Sequence, residues 1–148
     1  MTAPLAPKNI VLYAEDDVDD QQLVRDAFFS YAANVELRIV NNGLDALVYL
    51  RSLSPLDPLP CLIILDINMP KLDGKETLRR IKNMERLKEI PVVIFTTSIS
   101  QQDREFASEY GSWFITKPLN ESQMESITDE FIEQCAEEVR KNISKKIK

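Results

Sequence analysis

The chain has 148 residues, of which 44% are hydrophobic and 28% charged, with a net charge of −6 and no histidine; this length suits one domain around a single hydrophobic core. The negative charge argues against a surface for DNA, and the lack of histidine excludes Ser-His catalysis, His-ligated zinc and phosphohistidine chemistry within the chain. No apolar run approaches the ~20 residues of a membrane span and residues 1–9 lack the apolar core of a signal peptide, so we expect a cytoplasmic protein that contacts no membrane.

Apolar runs of strand length alternate with amphipathic runs of helix length along the chain. The segment 54–60 is predicted to be a loop because it carries three prolines in seven residues, Pro55, Pro58 and Pro60, which regular structure does not accommodate. The predicted order is strand 9–15, helix 18–31, strand 34–40, helix 41–53, strand 61–66, helix 75–84, strand 90–96, helix 100–110, strand 112–116 and helix 120–146. Five strand-helix units in succession imply a doubly wound α/β fold with one parallel sheet, because each return to a parallel strand needs a right-handed crossover.

Several of these elements carry predictions about individual side chains. The first helix should turn Phe28 and Phe29 inward, and the second should be capped by Asn41 or Asn42. Cys61 and Cys135 lack the spacing of metal ligands, so we expect small core residues in a reducing compartment. The last helix has a stripe at three- and four-residue spacing that should be buried, formed by Met124, Ile127, Phe131, Cys135 and Val139.

Polar side chains collect at the predicted carboxyl ends of four strands, where the ligand site of an open α/β sheet lies. Glu15 and Asp16 end the first strand, and Asp66 ends the third. Thr96 ends the fourth strand, and Lys117 follows the fifth. We therefore expect these side chains to meet at one edge of the sheet.

Carboxylates at this edge need a positive charge between them, because a pair of like charges 4 Å apart costs ~4 kcal/mol at an effective dielectric constant of about 20. A hard divalent cation removes that cost, and carboxylates, a backbone carbonyl and waters match the ligands that Mg²⁺ prefers. The ammonium of Lys117 and the hydroxyl of Thr96 suit the oxygens of a phosphoryl group. Asp66, alone at the end of a central strand, is the natural nucleophile for an acyl phosphate.

The motifs EDD after the first strand, LDxxMPxxDG after the third, T at the end of the fourth and KP after the fifth resemble the receiver domain of two-component response regulators. The resemblance covers about residues 8–145 and is to the stand-alone, chemotaxis-regulator-like form. The start EDDVDD and the proline-rich loop are similar to stand-alone receivers linked to phytochrome-type histidine kinases. The resemblance implies a flavodoxin-like (βα)5 fold with strand order 2-1-3-4-5, in which residues 1–148 form one receiver domain without an output domain.

The same resemblance implies roles at the metal site. Asp66 would be the phosphoacceptor and a metal ligand, and Asp16 would bind Mg²⁺ directly. Glu15, where many members have aspartate, would act through a metal-bound water, and the backbone carbonyl of Asn68 would complete the protein ligands. Gly74, at the end of the third motif, should allow a backbone turn that is forbidden to other residues.

Three further residues would form the switch. By resemblance, Thr96 would move inward to bind a phosphoryl oxygen, and Lys117 would pair with the phosphate. Phe114 stands where the family has its switch aromatic, which rotates inward as the threonine shifts. Because Phe114 lacks the hydroxyl of a tyrosine, we expect its read-out to depend on packing alone.

The function implied is a phosphorylation-controlled switch and not an enzyme beyond self-phosphotransfer and autodephosphorylation. The resemblance implies phosphoryl transfer from a sensor histidine kinase or phosphotransfer protein, and a downstream protein bound by the fourth helix, fifth strand and fifth helix; it also allows a homodimer. A haloacid dehalogenase-type phosphatase is disfavoured, because the second acid that it needs two residues after the nucleophile is here Asn68. A receiver-like interaction module that works without phosphorylation remains an open alternative.

Overall fold

The computed structural model describes residues 8–143 and contains a five-stranded parallel sheet with helices on both faces. The strands are β1 Asn9–Ala14, β2 Val35–Val40, β3 Leu62–Leu65, β4 Val92–Thr96 and β5 Trp113–Thr116. The helices are α1 Val18–Phe28, α2 Gly43–Ser52, α3 Gly74–Lys82, α4 Gln101–Glu109, α5 Met124–Glu133 and α6 Glu137–Arg140. None of the helices within 8–143 combines the length and apolarity that crossing a lipid bilayer requires.

The strand order is β2-β1-β3-β4-β5, and every neighbouring pair is parallel. This arrangement confirms the predicted flavodoxin-like fold. Ala14 pairs with Leu65 and Thr96 pairs with Thr116, so paired strands end level with each other. The residues that follow β1 and β3 therefore leave the sheet at the same edge.

The core consists of two clusters, one on each face of the sheet. Successive side chains of a strand point to opposite faces, so Ile63 and Leu65 pack in one cluster while Leu62 and Ile64 pack in the other. All four residues of β3 are fully buried. This burial explains why its sequence is continuously apolar instead of alternating.

Side-chain oxygens cap four of the helices at their first turn. Asn42, one of the two predicted caps, accepts a hydrogen bond of 2.8 Å from the backbone N–H of Asp45. The caps of α1, α3 and α4 are Asp17, Asp73 and Ser100. The side chain of each accepts a hydrogen bond from the backbone N–H three residues later in the chain. Capping satisfies backbone donors that have no partner inside the helix, and so fixes where each helix begins after its loop.

The prediction that Phe28 and Phe29 both face inward is wrong for Phe29. Phe28 is buried and stacks on Phe131 with ring centroids 6.2 Å apart, whereas Phe29 is 69% exposed. The α-helix ends at Phe28, and the chain continues as a 3₁₀ turn over Phe29–Tyr31. Adjacent residues on a helix point in directions about 100° apart, so the core can receive only one of the pair.

The predicted helix over 120–146 is not continuous. A 3₁₀ turn over Glu121–Gln123 comes first, and α5 and α6 are separated by residues 134–136. The backbone N–H groups of Gln134 and Cys135 bond to carbonyls three residues back, which tightens the chain where α5 ends. The buried stripe is nevertheless present, with Ile127 and Val139 at its partly buried edge; residues 144–146 lie outside the described part.

Candidate functional site

Four strands deliver polar side chains to the carboxyl edge of the sheet. Glu15 follows β1, Asp66 follows β3, Thr96 ends β4 and Lys117 follows β5. Glu15 and Thr96 are fully buried, and Asp66 is nearly so. A polar group that folding removes from water needs partners in the protein, and each of these side chains has them.

The structure brings three carboxylates together. One carboxylate oxygen each from Glu15, Asp16 and Asp66 lie within 4.8 Å of one another; these residues are called the carboxylate cluster below. Asp16 is the exposed member and the other two are buried. The donor set is all oxygen and faces solvent through Asp16, so it fits a hard divalent cation that keeps some of its waters.

Lys117 places one ammonium among these acids. Its Nζ donates to Oε1 of Glu15 and, over 3.1 Å, to Oδ2 of Asp66. A third hydrogen bond of 2.7 Å goes to Oδ2 of Asp20, in the first turn of α1. The Lys117 side chain is 8% exposed, so the positive charge is held almost out of water. The ammonium thus offsets part of the repulsion between the carboxylates.

Burial and charge shift the pKa values of this pair. Burial raises the pKa of Glu15 to about 7; the hydrogen bond from Lys117 opposes that change, and the nearby charge of Asp66 adds to it. Burial alone would lower the pKa of Lys117, but its hydrogen bonds to Asp20 and Glu15 and the charge of Asp66 raise it. Lys117 is therefore charged at neutral pH, while Glu15 ionises there only in part. A further cation beside Glu15 would favour its ionised form.

Tyr13 and the start of α1 fix the orientation of Glu15. The Tyr13 hydroxyl donates to Oε1 of Glu15 over 3.0 Å, and the backbone N–H of Asp17 donates to Oε2 over 3.2 Å. Burial and the charge of Glu15 raise the pKa of Tyr13, which therefore remains a hydrogen-bond donor. Both oxygens of Glu15 have defined donors, and the carboxylate is held in one orientation.

Gly74 supports Asp66 by close approach and not by an unusual turn. Its φ is not in the left-handed region, which among residues 8–143 is occupied by Lys71 and Gly111; the predicted exclusion of a side chain at this turn therefore has a steric cause. A Cβ at position 74 would lie 1.9 Å from the backbone oxygen of Asp66. The first residue of α3 thus packs directly on the backbone that carries the acid, and only a hydrogen fits there.

A chain of polar contacts runs from Thr96 to two helices. The backbone N–H of Ser98 donates to Oγ1 of Thr96 over 3.3 Å, and the Ser98 hydroxyl donates to Asp103 over 2.6 Å. Asp103, in the first turn of α4, also pairs with Lys75 of α3. Movement of the Thr96 hydroxyl would therefore disturb a link between α3 and α4.

Phe114 has a cationic partner. The guanidinium carbon of Arg104, on α4, lies 4.7 Å from the centroid of the Phe114 ring. Nη2 of the same arginine donates to Oγ1 of Thr116 over 3.2 Å. Phe114 is therefore held from one side by a cation–π contact, so packing is not its only restraint. Asn68, the remaining predicted residue, lies exposed in the loop after Asp66.

A model of the response regulator receiver domain family matches residues 11–129. The chain belongs to this family. Its general role is phosphorylation-based signalling in two-component systems. The receiver domain is 39% identical to "Response regulator Rcp1" of Synechocystis sp. over 99 residues. This match covers 66% of this chain and 67% of that relative.

Solved structures resemble this receiver domain along most of its length. The phosphorylated cyanobacterial phytochrome response regulator RcpA matches with a TM-score of 0.78 and 31% identity over 88% of this chain and 98% of its own. The Mn²⁺-bound form of response regulator Rcp1 matches with a TM-score of 0.74 and 35% identity over 83% of this chain and 93% of its own.

Three residues around the site of this receiver domain were not identified from the sequence. Tyr13 could have been, because it is two positions before Glu15 and side chains two apart in a strand share a face. Asp20 gives no distinct sequence signal, because an acidic side chain in the first turn of a helix is favoured in any case. Arg104 has no sequence signal, because its contact with Phe114 depends on how α4 lies against β5.

Proposed function

We propose that this receiver domain accepts a phosphoryl group on Asp66 from the phosphohistidine of a cytoplasmic sensor histidine kinase or phosphotransfer protein. The acceptance would depend on Mg²⁺ and would change the binding of a downstream protein. The observation that carries the proposal is the position of the Asp66 carboxylate, with Lys117 Nζ 3.1 Å from Oδ2 and two further carboxylates within 4.8 Å. An acid that only capped a turn would not need that set of neighbours.

The two oxygens of Asp66 are differently engaged. Oδ1 accepts a hydrogen bond of 2.8 Å from the backbone N–H of Ile67, and Oδ2 faces Lys117. A carboxylate oxygen would attack phosphorus as the bond to the donor histidine nitrogen breaks, giving an acyl phosphate and a neutral imidazole. Lys117 would pair with the phosphoryl oxygens, because its ammonium already lies beside the acceptor.

The carboxylate cluster, with the backbone carbonyl of Asn68, would hold the Mg²⁺. When bound, the cation would neutralise oxygens of the phosphoryl group during transfer. The all-oxygen donor set supports a hard cation, and the Mn²⁺-bound form of the similar Rcp1 supports a divalent one. The raised pKa of Glu15 also supports this assignment, since an adjacent cation would restore its charge.

Phosphorylation would be transmitted through Thr96 and Phe114. The Thr96 hydroxyl would bind a phosphoryl oxygen, which would weaken its present contact with Ser98. Phe114 would then move toward the space that the threonine leaves. The phosphoryl group would make better contacts with the protein in the conformation with Thr96 moved inward than in the present one. Phosphorylation would therefore shift the equilibrium between these two conformations.

The surface of α4, β5 and α5 would bind the downstream protein. Trp113 on β5 is 47% exposed, and Leu119 beyond it is fully exposed. An open groove of about 610 Å³ lies between α5 and the segment that follows β5. Ile115 and Ile127 form part of its apolar lining. Large exposed apolar side chains beside a groove are typical of a protein-binding surface.

The test is the intact mass of the protein after incubation with acetyl phosphate, with and without Mg²⁺. We expect wild type to gain one phosphoryl group only with Mg²⁺, and Asp66→Asn to gain none. Asp57→Asn, in the proline-rich loop, is the matched control and should behave as wild type. Stable labelling of Asp66→Asn would disprove the acceptor assignment. No labelling of folded wild type under any condition would favour the phosphorylation-independent module.

A further inference from the structure

Two cysteines meet at the edge of the sheet opposite the carboxylate cluster. Cys61 directly precedes β3, and Cys135 lies in the turn between α5 and α6. Their Sγ atoms are 3.7 Å apart, with the Cys135 thiol donating to the sulfur of Cys61. They are 74 positions apart in sequence, so only the fold brings them into contact.

The two thiols differ in access to solvent. Cys135 is 3% exposed, whereas Cys61 is only partly buried. The hydrogen bond from Cys135 lowers the pKa of Cys61, against the opposing effect of burial. The same hydrogen bond, together with burial, raises the pKa of Cys135. Cys61 is therefore the thiol that ionises more readily and that a small solute can reach, and Cys135 is the covered partner.

We propose that Cys61 and Cys135 form an oxidative modification site, at which a hydroperoxide converts the two thiols into an intramolecular disulfide. The proposal does not depend on phosphorylation of Asp66. It requires one accessible sulfur, one neighbouring sulfur, and a backbone that lets them approach, and the contact between Cys61 and Cys135 supplies the first two.

The reaction balances with one hydroperoxide. The Cys61 thiolate attacks the terminal oxygen, the O–O bond breaks and the other oxygen leaves as water or an alcohol, giving a sulfenic acid. The Cys135 sulfur then attacks the Cys61 sulfur, the S–O bond breaks and water leaves. The two sulfurs lose two electrons in total to the peroxide, and the two thiol protons end in the leaving groups.

The proposal requires the two sulfurs to move closer together. A disulfide is about 2.05 Å long, so the pair must close by about 1.7 Å. Both residues lie just outside regular elements, where rotation of the side chains disturbs neither a strand nor a helix. The bond would tie the beginning of a central strand to the end of α5, and would close a long loop that the unfolded chain otherwise leaves free.

The test treats the full chain with hydrogen peroxide, quenches free thiols and measures intact mass without reductant. We expect wild type to lose the mass of two hydrogen atoms and both titratable thiols without forming a disulfide between two chains. Peptide mapping should join Cys61 to Cys135. The melting temperature should rise by several degrees, because closing a long loop removes entropy from the unfolded chain, and dithiothreitol should reverse the change.

Single variants test the order of the steps. Cys135→Ala should keep a sulfenic acid on Cys61 that dimedone traps, whereas Cys61→Ala should leave Cys135 unmodified at the same dose. Alanine is chosen at both sites because it leaves no polar group in the core, and a melt confirms that each variant folds. The proposal fails if wild type forms only disulfide-linked dimers, or if both thiols of wild type survive a dose that traps Cys61 in Cys135→Ala.

Discussion

Asp20 and Lys117 are joined by a hydrogen bond of 2.7 Å between Oδ2 and Nζ, although they are 97 residues apart in sequence. Asp20 thus shares the ammonium with Glu15 and Asp66. The Asp20 side chain is 34% exposed, so solvent screens this bond more than the other two. Of the three acids, Asp20 is the one that can release Lys117 at least cost, and under the proposed function it would compete with the phosphoryl group for the Lys117 ammonium.

Asp20→Asn should lengthen the life of the phosphorylated protein. Removing the competing charge leaves Lys117 more available to the phosphoryl oxygens, and a contribution of about 1 kcal/mol corresponds to about a five-fold slower loss of the group. The measurement is the decay of the phosphorylated mass after acetyl phosphate is removed. Asp19→Asn, in the same helical turn, is the control. Equal decay in the two variants would show that Asp20 does not compete for Lys117.

Arg104→Met should move Phe114 toward its inward position without phosphorylation. The methionine keeps much of the side-chain length but removes the cation over the ring and the hydrogen bond to Thr116, which together contribute about 1 kcal/mol. Trp113, the neighbour of Phe114, reports the change through its fluorescence. We expect the unphosphorylated variant to resemble phosphorylated wild type.

The control for Arg104 is Arg79→Met, on α3, where the arginine pairs with Glu76. Arg104→Lys should lie between wild type and Arg104→Met, because lysine retains the charge without the planar guanidinium. If the fluorescence of Arg104→Met matches wild type both with and without acetyl phosphate, the cation–π contact does not restrain Phe114.

Glu15 should make the metal-free protein less stable as pH rises. Its pKa is about 7 in the folded chain against the usual 4.5, so the folded state binds the proton more tightly than the unfolded state. The resulting stabilisation is complete below pH 4.5 and is lost as pH rises through about 7, which amounts to about 3 kcal/mol at most.

The measurement is urea unfolding in EDTA between about pH 5 and 8. Glu15→Gln cannot ionise, so its free energy of unfolding should fall less over this range than that of wild type. Added Mg²⁺ should flatten the wild-type curve, because a bound cation favours the ionised carboxylate. Parallel curves for the two proteins in EDTA would mean that Glu15 is already fully ionised in the folded state.

Gly74→Ala should destabilise the protein by more than ~3 kcal/mol and abolish phosphorylation, because the new Cβ would meet the Asp66 carbonyl 1.9 Å away. Gly111→Ala is the matched control. Gly111 has a φ of +70° but open space around it, so alanine there costs only ~1–2 kcal/mol of backbone strain. Equal costs in urea unfolding would show that backbone freedom, and not close approach, explains both glycines.

Much of the fold could be predicted because it depends on local patterns. The lengths of the apolar runs gave the five strands, and the alternation of strand and helix implied the parallel order. Asp66 stood out because a carboxylate at the end of a buried run is costly without partners. The assignment of one receiver domain without an output domain stays a prediction.

Other features depend on angles between elements, which a single sequence does not encode visibly. Arg104 meets Phe114 only because α4 lies along β5, and Asp20 meets Lys117 only because the lysine side chain extends from the end of β5 to the first turn of α1. The exposure of Phe29 and the break after α5 follow from a switch of helix type within a few residues. Helical periodicity is too coarse to detect such a switch.

The position of Lys117 in the sequence has a consequence for synthesis of the chain. Glu15, Asp20 and Asp66 all leave the ribosome before the ammonium that they share, with separations from Lys117 of 102, 97 and 51 residues. A nascent chain that has paired β1 with β3 therefore lacks the ammonium that these three acids share until β5 docks. The ion pairs of the site thus form late, and only a chain that extends past residue 117 can complete them.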